Sequence, residues 1–197
     1  MATGKRLRIF AGPNGSGKST ITGVVSSHVV LGTYVNADEI KKHLTRHRQL
    51  DFAEFRIVLD REKFCASLRH STLSHRMVDV EATLSKISFF STKLVLHEDY
   101  VIEDYFVSFI TLYIWDELLD SSNKFTIETV MSHRSKLEFM CRAKEKGFKV
   151  YLYFVSLADP ELNKAGCRRA WPKEGIPLMR GKLSRDIAGL WKTCMKP

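Results

Sequence analysis

The chain has 197 residues, 44% hydrophobic and 27% charged, an ordinary globular balance with enough length for one good core. No apolar run reaches the ~18 residues that a membrane crossing needs; the nearest, Tyr105–Trp115, is bounded by Asp104 and Asp116 and reads as a buried helix. The net charge of +9 raises nucleic acid as a partner, but Lys164–Pro197 holds nine Lys/Arg and two Asp/Glu, so +7 sits in this tail and only +2 elsewhere; a block like this reads as a solvated segment and argues against nucleic-acid binding.

The N-terminus has basic residues and no long apolar core ahead of its glycines, so no secretory signal is expected. Four cysteines, Cys65, Cys141, Cys167 and Cys194, show neither C-x-x-C spacing nor a paired histidine pattern. Reduced thiols in a cytoplasmic protein are the expectation.

Leu7–Ala11 is a short apolar run suited to a buried parallel strand. Gly12-Pro13-Asn14-Gly15-Ser16-Gly17-Lys18-Ser19, followed by Thr20, fits G-x-x-x-x-G-K-[ST]. Ile21, Val24 and Val25 then recur at helical spacing, so the motif has the strand-to-helix setting it needs. Glycines let successive backbone N–H groups turn inward toward phosphate oxygens, and the helix aims its positive end at the same anion. Lys18 offers a mobile cation to the β- and γ-phosphates of ATP or GTP, and the Ser19 hydroxyl suits a Mg²⁺ ion.

Tyr34 and Val35 close a second strand, and Asn36-Ala37-Asp38-Glu39 opens a helix through Ile40 and Leu44. Asp38 has two readings. At the C-terminal edge of a sheet, where ligands collect, its carboxylate can take a proton from an attacking hydroxyl. It also suits a helix cap or a first-turn acid.

Residues 51–122 read as a helical insertion, with helices over "FAEFRIVLDREKFCASL" and "DYFVSFITLYIWDELL" and a strand or turn at "KLVLHEDYVI". His43, His47, His70, His75 and His97 have no metal-ligand spacing. Phe125–Thr129 is a β-branched strand that brings Glu128 and Thr129 to the same ligand edge. Ser132 is a candidate cap for a helix from about Ser135, and Val150–Val155 is a fourth strand. Strands alternating with helices imply an α/β fold, a parallel sheet with helices on both faces.

"AGPNGSGKST", "VNADEI", "FTIETVMSH" and "LYFVSLADPELN", in that order, make residues 6–163 resemble the zeta toxin family of P-loop kinases. The resemblance implies a kinase-type P-loop NTPase sheet and transfer of the γ-phosphate of ATP to a sugar hydroxyl of a nucleotide sugar such as UDP-N-acetylglucosamine. It makes Asp38 the general base, with Lys18, and sets Asn36, Glu128 and Thr129 against the sugar nucleotide. It also brings in an antitoxin as partner. A nucleotide-binding P-loop protein without kinase activity is the alternative.

After "DPELN" the family runs R-V-x-x-R-V-x-x-G-G-H-x-V-P-x-x-K-I-x-x-R-Y, whereas this chain has Gly166-Cys167-Arg168-Arg169 and no Gly-Gly-His. Ala170–Leu178 can be written GCG TGG CCA AAG GAG GGC ATC CCG TTN. Regrouped from the last base of Ala170, it reads V-A-K-G-G-H-P-V. The same shift permits Lys-Ile across Gly181–Leu183 and Arg-Tyr across Arg185–Ile187. The expectation is a kinase-like domain over 1–165 and a basic, out-of-frame tail over 166–197, with the last strand of the sheet missing. The actual codons test this. Regrouped by one base, they are expected to spell the family pattern from about Gly166, and codons that do not regroup exclude a frameshift.

Overall fold

A computed structural model describes residues 4–77, 79–131 and 134–155. Ser132, the "DPELN" segment and the tail from Gly166 lie outside the described residues, as does the expected frameshift.

In chain order the elements are β1 (Arg6–Ala11), α1 (Lys18–Ser26), β2 (Thr33–Asn36), α2 (Ala37–His47) and β3 (Gln49–Asp51). Next come α3 (Arg61–Arg69), α4 (Val80–Ser85), β4 (Ile87–Phe90), β5 (Lys93–Leu96) and α5 (Asp104–Ser121). β6 (Lys124–Thr129), α6 (Ser135–Glu145) and β7 (Lys149–Phe154) follow. The fold is α/β. One sheet orders its strands β2-β6-β1-β7 and is mostly parallel; a smaller one runs β3-β5-β4. Helices flank the larger sheet, as crossovers between parallel strands require. The described residues form two compact units, one from residues 4–32 and 126–155, the other within Thr33–Phe125.

In the first unit β1 is buried from Leu7 to Ala11, and that stretch is apolar except at Arg8. It pairs in parallel with β7, Arg6 opposite Lys149 through Ala11 opposite Phe154. Phe10 stacks on Tyr153 with ring centroids 4.7 Å apart. Arg8, the charged side chain in the buried stretch of β1, donates to the Val30 carbonyl at 3.1 Å and lies over the Tyr151 ring. Thr126 of β6 donates its hydroxyl to the Leu31 carbonyl at 2.7 Å, so the return toward β2 is held at both Val30 and Leu31.

The second unit is built around α5. It buries ten residues between Phe106 and Leu119, as the run at Tyr105–Trp115 implies, and keeps a narrow polar stripe at Asp104, Ser108, Asp116 and Asp120. Phe64 of α3 is fully buried and meets Phe52, Phe89, Phe109 and Tyr113 edge-on, with centroids 5.1–6.2 Å apart. The helix expected over Phe52–Leu68 is divided. Phe52–Phe55 is a 3₁₀ turn and α3 starts only at Arg61. Two aspartates cause this: Asp51 accepts from the Ala53 amide at 3.0 Å and Asp60 from the Lys63 amide at 3.0 Å, each starting a new turn. Arg56 between them is left-handed, at φ 60°. Residues 51–122 also contain the hairpin β4–β5, turning at Ser91 with φ 53°, so this segment combines helices with a small antiparallel sheet.

Among the described residues no helix is long and apolar enough to cross a membrane, and no cluster of three His, Cys, Asp or Glu could hold a metal ion. Among the described residues Cys65 is a free thiol.

The Tyr113 hydroxyl is buried with no hydrogen-bond partner among the described residues, and burial pushes its pKa up. Phe64→Ala is expected to cost ~3–5 kcal/mol of unfolding free energy. Tyr113→Phe, which removes an unsatisfied hydroxyl, is expected to cost nothing or to stabilise by up to ~1 kcal/mol. Denaturant midpoints of the two variants check both values.

Candidate functional site

The site starts where β1 runs out. Gly12 has φ 151°, and a Cβ built there would lie 2.0 Å from the Val155 carbonyl oxygen. The Val155 amide in turn donates to the Ala11 carbonyl at 2.7 Å, so that oxygen is held by the pairing of the two strands. Only glycine fits this approach. On the other side, the Gly12 amide donates to the Thr129 carbonyl at 3.3 Å, joining the loop to the end of β6.

The loop turns through Gly15, φ 76°, and Gly17, φ 84°, both left-handed. Gly17 is the cap position of α1 and has no side chain to offer its amides. The first turn of α1 carries no acid either. Helix starts of this kind leave N–H groups and the positive end of the dipole available to an anion.

Lys18 opens α1 yet is only 7% exposed. Its ammonium donates to the Gly12 carbonyl at 3.0 Å and the Pro13 carbonyl at 2.8 Å. Glu128 Oε1 lies 3.9 Å from the same nitrogen, and its side chain is 9% exposed. Ser16 is 2% exposed, and its hydroxyl has no hydrogen-bond partner among the described residues. A buried hydroxyl without a partner is costly, and it marks a place where a ligand oxygen fits. Ser19 and Thr20 are exposed on the first turn of α1, and Asn14 is exposed at the loop tip.

The structure thus brings Gly12–Thr20 together with Glu128 and Thr129. Asn36 and Asp38 belong to the second unit. There Asn36, not Asp38, caps α2: its Oδ1 accepts from the Asp38 amide at 2.8 Å while its Nδ2 donates to the Tyr34 hydroxyl at 3.4 Å. Asp38 is an exposed acid in the first turn, with its carboxylate toward solvent.

A helix start without acid, an inward lysine and a buried hydroxyl suit a multiply charged oxyanion. The exposed Ser19 hydroxyl beside them suits the Mg²⁺ that accompanies a triphosphate. No family model, curated protein or solved structure matches this chain.

Two features of the site escape sequence reading. One is the contact of Gly12 with Val155, which only the strand order creates. The other is the pairing of Lys18 with Glu128, residues far apart in the chain with no local signal linking them. Gly12→Ala is expected to lower the melting temperature by several degrees, since the new methyl meets a backbone oxygen that cannot yield. Gly23→Ala, in α1 with nothing within 4 Å of its Cβ position, is expected to stabilise by ~0.5–1 kcal/mol. Thermal unfolding of the pair checks the contrast.

Proposed function

We propose that the chain is a phosphotransferase of the zeta toxin type. It passes the γ-phosphate of ATP, or of GTP, to a sugar hydroxyl of a nucleotide sugar such as UDP-N-acetylglucosamine, in the cytoplasm, with an antitoxin as its protein partner. The observation that carries the reading is the buried, unpartnered Ser16 hydroxyl within a glycine loop whose lysine also turns inward. The motif, its strand-to-helix setting and the acid-free start of α1 support it.

In this reading the 12–17 loop is a P-loop. Backbone N–H groups and the Ser16 hydroxyl bind phosphate oxygens, and Lys18 moves onto the β- and γ-phosphates. Ser19 holds Mg²⁺, which when bound offsets charge on the β- and γ-oxygens. Asp38 accepts the proton of the attacking hydroxyl. The new bond joins that oxygen to the γ-phosphorus, the bridging bond to the β-phosphate breaks, and the nucleoside diphosphate leaves. Thr129 and Glu128 border the loop, and Asn36 fixes the backbone ahead of Asp38; the resemblance, and it alone, assigns these three to the acceptor nucleotide sugar.

A nucleotide binder without catalysis is the second reading. It is favoured by the sequence after Ala165, where the arginines expected by resemblance are out of register. An arginine on the transferring phosphoryl group is worth about 10³–10⁵ in rate in other NTPases. Weak transfer by this chain, restored in a frame-corrected version, is therefore expected.

Transfer of labelled γ-phosphate to a panel of nucleotide sugars tests the proposal, with both versions side by side. Asp38→Asn in the frame-corrected chain is expected to lower transfer by about 10²–10⁴ and to leave Mg·ATP affinity within about twofold. Lys18→Ala is expected to lose the nucleotide itself. Nucleotide binding with no transfer from either version overturns the kinase and leaves the binder.

A further inference from the structure

We propose that Glu128 is a positioning residue for Lys18. It helps hold the lysine ammonium against the Gly12 and Pro13 carbonyls, so that a triphosphate has to compete with a carboxylate for its main cation. This inference rests on the nucleotide reading above, and it gives Glu128 a role distinct from contact with the acceptor sugar.

The argument starts from the donor count of an ammonium group, which is three. Two hydrogens of Lys18 go to the Gly12 and Pro13 carbonyls. The Glu128 carboxylate, at 3.9 Å, is beyond hydrogen-bond length but within ion-pair range. Both side chains are buried, at 7% and 9% exposure, so solvent and salt screen the attraction weakly. Glu128 is also fixed in place. It stands in β6 next to Thr129, whose carbonyl takes the Gly12 amide, so the strand end and the loop move as one.

A lysine in this state is folded back along its own loop. Phosphate oxygens that enter have to displace the ammonium from two carbonyls, and they meet a negative charge already beside it. Glu128 therefore opposes occupancy twice, by retaining the cation and by repelling the anion. Neutralising it removes both effects while keeping the side-chain shape.

The test is calorimetric titration of the full chain with Mg·ATP, comparing wild type, Glu128→Gln and Glu128→Asp. Thermal unfolding confirms that each variant is folded. Glu128→Gln is expected to bind roughly tenfold tighter, in keeping with loss of one close, weakly screened charge. Glu128→Asp keeps the charge and is expected to return to near the wild-type affinity. A purely structural role would weaken or leave unchanged the affinity of the glutamine variant, and so would a role in holding Mg²⁺. Either result, with wild type binding normally, overturns the positioning role alone. Absence of binding by all three folded proteins overturns the nucleotide reading beneath it.

Discussion

The arrangement of the loop depends on one close approach. The Gly12 backbone passes the Val155 carbonyl at a distance that excludes any side chain, and β1–β7 pairing holds that carbonyl in place. From the other side the Gly12 amide is tied to Thr129. The chain leaves β1 between two fixed neighbours, and its next turns follow from that exit. Gly15 and Gly17 then absorb the left-handed conformations that bring the start of α1 back over the strand ends. Packing thus sets the direction of the loop first, and its chemistry follows from where its N–H groups then point.

Most of the larger sheet was legible in the sequence, for a simple reason. β1 is buried from Leu7 to Ala11 and apolar there but for Arg8, β6 is rich in β-branched residues, and the helices between carry a period. The small sheet was legible only at β5, which lies within the segment read as a strand or a turn. β3 has three residues and β4 and β5 have four, too few to show alternation against their surroundings. The turn at Ser91 uses a left-handed serine, so no glycine announces the hairpin. The break before α3 was encoded, by Asp51 and Asp60, but an aspartate in a polar stretch resembles a surface residue until its cap is seen.

The candidate site divides in the same way. Gly12–Thr20 is a local pattern and could be read directly. The roles within "VNADEI" were harder to assign, because Asn36 and Asp38 both suit a helix start. The structure gives the cap to Asn36, which leaves the Asp38 carboxylate facing solvent in the first turn of α2. Lys18 against Glu128 is a product of tertiary structure alone. It needs the ends of β1 and β6 side by side, and no window of the sequence contains both.

The bare start of α1 has a consequence for the lifetime of the chain. With glycine at its cap and no acid in its first turn, this helix has no internal means of satisfying its leading amides. An oxyanion bound there acts as the missing cap, and it does so only on the folded chain. Occupancy and folding are then linked: an anion at a hundred times its dissociation constant adds about 2.7 kcal/mol to the folded state. On the proposed function, a shortage of that anion withdraws this stabilisation and opens the polypeptide to proteolysis, so that abundance would follow the supply of the nucleotide.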